Sequence, residues 1–146
     1  MTARVRDVMT QGVTAVPPDM PLSQAAQAMR DEGIGAVLVC AGSRLVGLVT
    51  DRDITLRVVA DGADPRVIDA GMVCTPDPLY LGPDDESEHA AALMRRHAVR
   101  RLPVLSEGRP VGIVSMGDLA RHRDPGSALA DVSRAAASPG QGFVAT

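Results

Sequence analysis

Apolar residues along this chain follow two rhythms. Leu22, Ala25, Ala26 and Met29 recur at i, i+3, i+4 and i+7, the spacing of a single helix face. Ala90, Ala91 and Met94 repeat that face further on. Aliphatic runs over Ala36–Cys40 and Leu45–Thr50, and again over Leu102–Leu105 and Pro110–Ser115, predict strands. The short joints "AGS" and "SEG" make each pair a hairpin. A shorter extended segment, "GVTAV" or "PLYL", precedes each helix, and Pro18-Asp19 or Pro83-Asp84 marks the helix start. Closing helices are expected over Arg52–Ala60 and Gly117–Arg123.

These two sets are one pattern written twice. Shifting the chain by 65 residues lays Pro18–Ile54 on Pro83–Leu119 without a gap. "VGLVTDRDI" (Val46–Ile54) then falls on "VGIVSMGDL" (Val111–Leu119). Such a repeat decides the architecture before anything else is read. Each unit reads β-α-β-β-α, a small sheet with helices on it, so the fold class is α+β. The expected division is 1–62, 63–124 and a tail, 125–146. The Gly/Asp/Pro joint "ADGADP" at Ala60–Pro65 links the repeats. The tail is rich in Ala, Ser and Gly, with a weak helix expected around Ser127–Ala137 and mobile last residues.

Composition narrows the class. A chain of 146 residues buries roughly 70% of its unfolded surface. No apolar run is long enough to span a bilayer, so no membrane partner is expected. "MTARVRDVM" carries an Asp and no apolar core, which argues against a secretory signal and for the cytoplasm. Cys40 and Cys74 show no CxxC spacing and read as buried, inert thiols, a Cys40–Cys74 bridge being the alternative. Net charge is -3, and every basic residue is Arg. Tyr80 and Phe143 are the only aromatics, which disfavours stacking on single-stranded nucleic acid. Neither a P-loop, nor GxGxxG, nor GxSxG occurs, so the chain reads as a binding module or an interaction protein and not as an enzyme.

The repeated phrase carries the candidate chemistry. Thr50 with Asp53, and Ser115 with Asp118, are spaced as capping boxes, which accounts for them structurally. The same atoms admit a functional reading: amides at a helix start favour an anion, and the carboxylate can accept both hydroxyls of a ribose diol. Gly47 and Gly112, in mid-strand, are expected to leave room for a flat ligand. The acids Asp84, Asp85, Glu86 and Glu88 crowd the second helix start, where its dipole favours them.

In order and register these phrases resemble the CBS domain, two of which in tandem form a Bateman module. The likeness spans roughly Val5 to Asp124. It implies two repeats packed as a pseudo-twofold pair, dimerising through their helices into a homodimer. It also implies clefts for adenosine-containing ligands such as AMP, ADP, ATP or S-adenosylmethionine, with no obligatory cofactor. Asp53 with Thr50, and Asp118 with Ser115, would then hold ribose. Adenine would lie near Val37, Leu102 and the first strand around Thr14, Ala15 and Val16. Arg100 and Arg101 replace Gly35-Ala36 of the first repeat, so a phosphate-receiving cleft is expected to be unequal to its twin. With no attached effector domain in the sequence, the module is expected to act on a protein partner in trans. The basic stretch "MRRHAVRRL" (Met94–Leu102) otherwise serves the helix terminus through Arg95 and Arg96, a nucleic-acid surface being disfavoured by the acidic net charge. His97 and His122 each end a helix of the second repeat. They offer two zinc ligands of the four a tetrahedral site needs, or all four if a dimer pools them, against a purely structural role.

Overall fold

The structure, a computed structural model, describes residues 3–135. The elements in chain order are α1 (Val5–Val8), β1 (Thr10–Gln11), β2 (Ala15–Val16), α2 (Leu22–Glu32), β3 (Ala36–Ala41), β4 (Arg44–Thr50) and α3 (Asp51–Ile54), which runs into a π-helical turn at Thr55–Val59. There follow α4 (Ala70–Val73), β5 (Thr75–Pro76), α5 (Ser87–His97), β6 (Arg101–Ser106), β7 (Arg109–Ser115), α6 (Met116–Arg123) and α7 (Ala128–Arg134). The α+β class and the repeated helix–hairpin–helix order hold. Among the described residues no helix is long and apolar enough to cross a membrane.

Three differences from the sequence reading have local causes. The closing helix of the first repeat widens after Ile54: the Ala60 amide reaches back five residues to the Thr55 carbonyl. "PLYL" makes only a single bridge, Leu81 to Val104, in place of a strand. Of the acids before the second helix, Glu88 alone lies in its first turn. Asp85 instead accepts from the Gly82 amide at 2.8 Å, and Asp84 pairs with Arg6. The tail helix begins at a Ser127 cap, whose hydroxyl accepts from the Ala130 amide at 3.0 Å. The expected mobility of the last residues falls outside the described ones.

The two sheets are the same design. In the first, the order is β2-β3-β4-β5, with β2 parallel to β3 and the rest antiparallel. In the second, Leu81 bridges β6 in parallel, and β6-β7-β1 continue antiparallel. Each hairpin therefore takes its last strand from across the repeat boundary: β5 joins the first sheet and β1 the second. The cores follow. Val16, Leu22, Ala25, Met29, Val37, Val39, Val49 and Val58 pack with Ala70, Val73 and Cys74 of the linker side. Leu81, Ala90, Met94, Leu102, Val104, Val114 and Leu119 pack with Val5 and Val8 of α1. Burial of such aliphatic side chains contributes about 1.5–3 kcal/mol each, so the exchanged segments bind the repeats to one another.

This exchange corrects the role expected for the mid-strand glycines. A Cβ on Gly47 would stand 2.5 Å from the Thr75 carbonyl oxygen and 2.6 Å from Cys74 Sγ. One on Gly112 would stand 2.7 Å from Met9 Sδ and 2.8 Å from the Thr10 carbonyl oxygen. The space is filled by the exchanged chain and not left for a ligand.

Candidate ligand-binding site

β4 and β7 each end where an extended residue turns into a helix, and both ends are capping boxes. The Asp53 amide donates to Thr50 Oγ1 at 3.1 Å, while the Thr50 amide donates to Asp53 Oδ2 at 2.9 Å. The second copy repeats this with Asp118 to Ser115 Oγ at 3.0 Å and Ser115 to Asp118 Oδ2 at 2.9 Å. One oxygen of each carboxylate is thus committed to the fold, a cap worth about 1 kcal/mol.

The other oxygen distinguishes the repeats. Asp53 Oδ1 lies 3.9 Å from Arg57 Nε and accepts no hydrogen bond among the described residues; its side chain is 19% exposed. Arg57 spends Nη1 on the Val73 carbonyl at 3.0 Å. Asp118 Oδ1 is bonded directly by Arg121 Nη2, and the Asp118 side chain is 5% exposed.

Strand register gathers the first repeat's candidates at one end of its sheet. Leu38 donates to the Thr14 carbonyl at 3.0 Å, and Ala15 and Val16 pair with Leu38 and Val39. Val37 lies opposite Val49, and Ala36 opposite Thr50. Thr14 Oγ1 donates to Glu32 Oε2 at 2.8 Å. Val16 and Val37 face the core, so this end presents Thr14, Ala15, the backbone, Thr50 and Asp53. In the second repeat Leu102 is likewise a core residue, opposite Val114, with Arg101 opposite Ser115.

Residues 79–81 occupy the place of Thr14–Val16. Leu79 and Tyr80 are exposed there and Leu81 is buried. Sequence reasoning passed over them as site residues, although the 65-residue shift that aligned the repeats carries Thr14-Ala15-Val16 onto Leu79-Tyr80-Leu81.

The two arginines part company. Arg101 reaches into the first repeat, where its Nη2 would lie 2.7 Å from a Cβ on Gly35, beside Asp51. It lines a groove of about 600 Å³ with Met29, Ile34, Ile54 and Arg30. Arg100, exposed, lines the equivalent groove of about 700 Å³ with Met94, Val99, Leu119, Met116 and Leu129. Arg100 and Arg101, expected to make a phosphate-receiving cleft unequal to its twin, thus line different grooves, one on each repeat. Thr50, Asp53, Ser115 and Asp118 line neither groove.

His97 and His122 are exposed, in the last turns of α5 and α6. No group of three or more His, Cys, Asp or Glu side chains able to hold a metal occurs among the described residues. Cys40 and Cys74 are free and buried, and burial raises both thiol pKa values.

A family model described as the CBS domain matches residues 5–60 and again 70–124. The chain is similar to Hypoxic response protein 1 of Mycobacterium tuberculosis, at 41% identity over 135 residues, covering 92% of this chain and 94% of that one. It is similar in structure to a crystal structure of Hypoxic Response Protein I with two coordinated zinc ions, with TM-score 0.73, 41% identity, and coverage of 82% of this chain and 98% of that one. A putative signal-transduction protein with CBS domains from Burkholderia ambifaria superposes with TM-score 0.80 at 27% identity, over 86% of this chain and 96% of that one.

Proposed function

The chain belongs to the CBS-domain family, and on that premise we propose that this regulatory pair senses an adenosine-containing small molecule, acting in trans as a homodimer. The ligand class is AMP, ADP, ATP or S-adenosylmethionine. The observation that carries the reading is Asp53 Oδ1. Among the described residues it is a carboxylate oxygen that accepts no hydrogen bond, beside Thr50 and 3.9 Å from Arg57 Nε, at the sheet end that also presents Thr14 and Ala15. A vicinal diol supplies the donors that such an oxygen lacks, and charge-assisted hydrogen bonds are the stronger kind. Arg101, crossing into the first repeat, supplies the cationic group for a phosphate.

The test is a thermal-shift and calorimetry panel with AMP, ADP, ATP and S-adenosylmethionine. A ligand at a hundred times its Kd stabilises the folded state by about 2.7 kcal/mol. The expected result is a shift with at least one of these that Asp53→Ala removes. No shift with any of them overturns the reading in favour of a CBS pair that acts through its surface alone.

A second reading concerns metal, and the relative crystallised with two zinc ions favours it. His97 and His122 would supply two of the four ligands of a tetrahedral set, and two copies of the chain would pool four imidazoles. Zinc there would tie protomers together and not polarise a substrate. Added Zn²⁺ is expected to raise the melting temperature in the wild type and not in His97→Ala, with light scattering reading the mass of the assembly.

A further inference from the structure

The C-terminal helix α7 lies over the start of α6, and the contacts are specific. Arg121 Nη1 donates to the Ser133 carbonyl at 3.1 Å and to Ser133 Oγ at 2.7 Å, while Nη2 holds Asp118 Oδ1. Ser133 sits so close to Gly117 that a Cβ at Gly117 would collide with its hydroxyl. One guanidinium thus ties α7 to the second repeat's carboxylate, and both oxygens of Asp118 are taken. The first repeat has only a looser link, made by a residue one position further on: Arg57 donates Nη1 to the Val73 carbonyl at 3.0 Å, but its Nε stays 3.9 Å from Asp53 Oδ1. Arg52 stands where Gly117 does, Leu56 stands where Arg121 does, and Leu56 is exposed.

We infer that α7 is a gate on the second repeat, locked by Arg121, so that the chain has one open carboxylate, Asp53, and one latched, Asp118. This rests on the ligand reading proposed above. A diol approaching Asp118 must displace a charge-assisted hydrogen bond, whereas one approaching Asp53 meets only the longer ion pair with Arg57, at 3.9 Å. A ligand in the second repeat therefore binds only the form in which α7 has swung away, and its binding reports itself as a change in the C-terminal helix.

The test uses the full chain, with AMP and S-adenosylmethionine as probes. Calorimetry of the wild type is expected to show one equivalent per chain, removed by Asp53→Asn and kept by Asp118→Asn. Arg121→Leu, which installs the first repeat's residue, is expected to add a second equivalent that Asp118→Asn removes. It should also speed amide exchange over residues 128–134 at least tenfold. Ser133→Ala, which leaves the carboxylate untouched, must act in the same direction, so that a folding defect in Arg121→Leu does not imitate the effect. Two equivalents in the wild type, or no second equivalent once α7 exchange has risen, overturns the gate while the ligand reading stands. Unchanged exchange overturns the latch itself. No binding by any variant, with exchange raised, overturns the ligand reading and the gate's purpose with it.

Discussion

Asp53 and Asp118 occupy capping boxes whose hydrogen bonds agree within 0.1 Å, yet their surroundings have little in common. The first faces an arginine 3.9 Å away that is engaged elsewhere; the second is gripped by an arginine and roofed by a helix. A motif that fixes local geometry does not fix accessibility. The cap needs only three residues on either side of a strand end. What covers it is decided by residue types at i+3 and by a segment at the far end of the chain. The two repeats are duplicates as folds and different as sites, and substitutions at equivalent positions should separate the two.

The largest difference is expected in the cores. Leu22 opens α2 fully buried, and its equivalent, Ser87, opens α5 at 3% exposure. Leu22→Ala leaves a cavity and is expected to cost about 3 kcal/mol. Ser87→Ala removes only a hydroxyl and is expected to cost about 1 kcal/mol or less. Urea denaturation midpoints read both. Equal losses would mean that the first core collapses around the gap, and the contrast between the repeats would be lost.

Next come the glycines at the exchanged strands. Gly47→Ala drives a methyl into the Thr75 backbone and Cys74, and is expected to cost about 2–3 kcal/mol. Gly112→Ala meets the flexible end of Met9 and the Thr10 carbonyl oxygen at 2.8 Å, a slightly longer approach to backbone than at Gly47, and is expected to cost about 1–2 kcal/mol. If Gly112→Ala proves the worse, β1 is held more tightly than β5, and the N-terminal segment carries more of the repeat–repeat linkage than the distances indicate.

This exchange marks the boundary of what the sequence makes legible. The helix faces, the hairpins and both capping boxes follow from spacing over four to eight residues, and all appear. The partners of β1 and β5 lie far along the chain, and two-residue strands carry no periodicity to read. Gly47 and Gly112 were visible as anomalies, but their cause sits in those distant strands. The roof on Asp118 was hidden for the same reason, because nothing in "DLARH" names Ser133 as the partner of Arg121. Leu79-Tyr80-Leu81 is the opposite case. The repeat pointed straight at these residues, and their unlike chemistry beside Thr14-Ala15-Val16 hid the correspondence.

A third contrast lies at the carboxylates. Asp118→Ala removes a cap and the ion pair with Arg121, which is 36% exposed and keeps its bonds to Ser133. The expected loss is about 2 kcal/mol. Asp53→Ala removes the same cap and only the long, 3.9 Å ion pair with Arg57, for about 1 kcal/mol. A double-mutant cycle of Asp118→Ala with Arg121→Leu isolates the pair. A coupling near zero would make Arg121 a surface residue that happens to lie close, and the asymmetry between the sites would then rest on Ser133 alone.

The smallest single effects are at the ends of the long helices. α2 stops at Gly33 with φ 65°, and α5 stops at the equivalent Ala98 with φ 54°. Left-handed backbone costs an alanine about 1–2 kcal/mol that glycine avoids, offset in part by the greater freedom of glycine in the unfolded chain. Ala98→Gly is therefore expected to stabilise the protein by about 0.5–1 kcal/mol, and Gly33→Ala to destabilise it by a similar amount. No atom stands within 4 Å of a Cβ built on Gly33, so that substitution tests conformation and nothing else. Ala98 lines the groove beside Val99 and Met94. If Ala98→Gly destabilises instead, its methyl contributes packing there that outweighs the backbone strain. The second repeat would then keep its alanine for the groove and not by accident of duplication. Thermal unfolding of the two single variants, read against the wild type in one buffer, separates these outcomes by the sign of the Ala98→Gly shift.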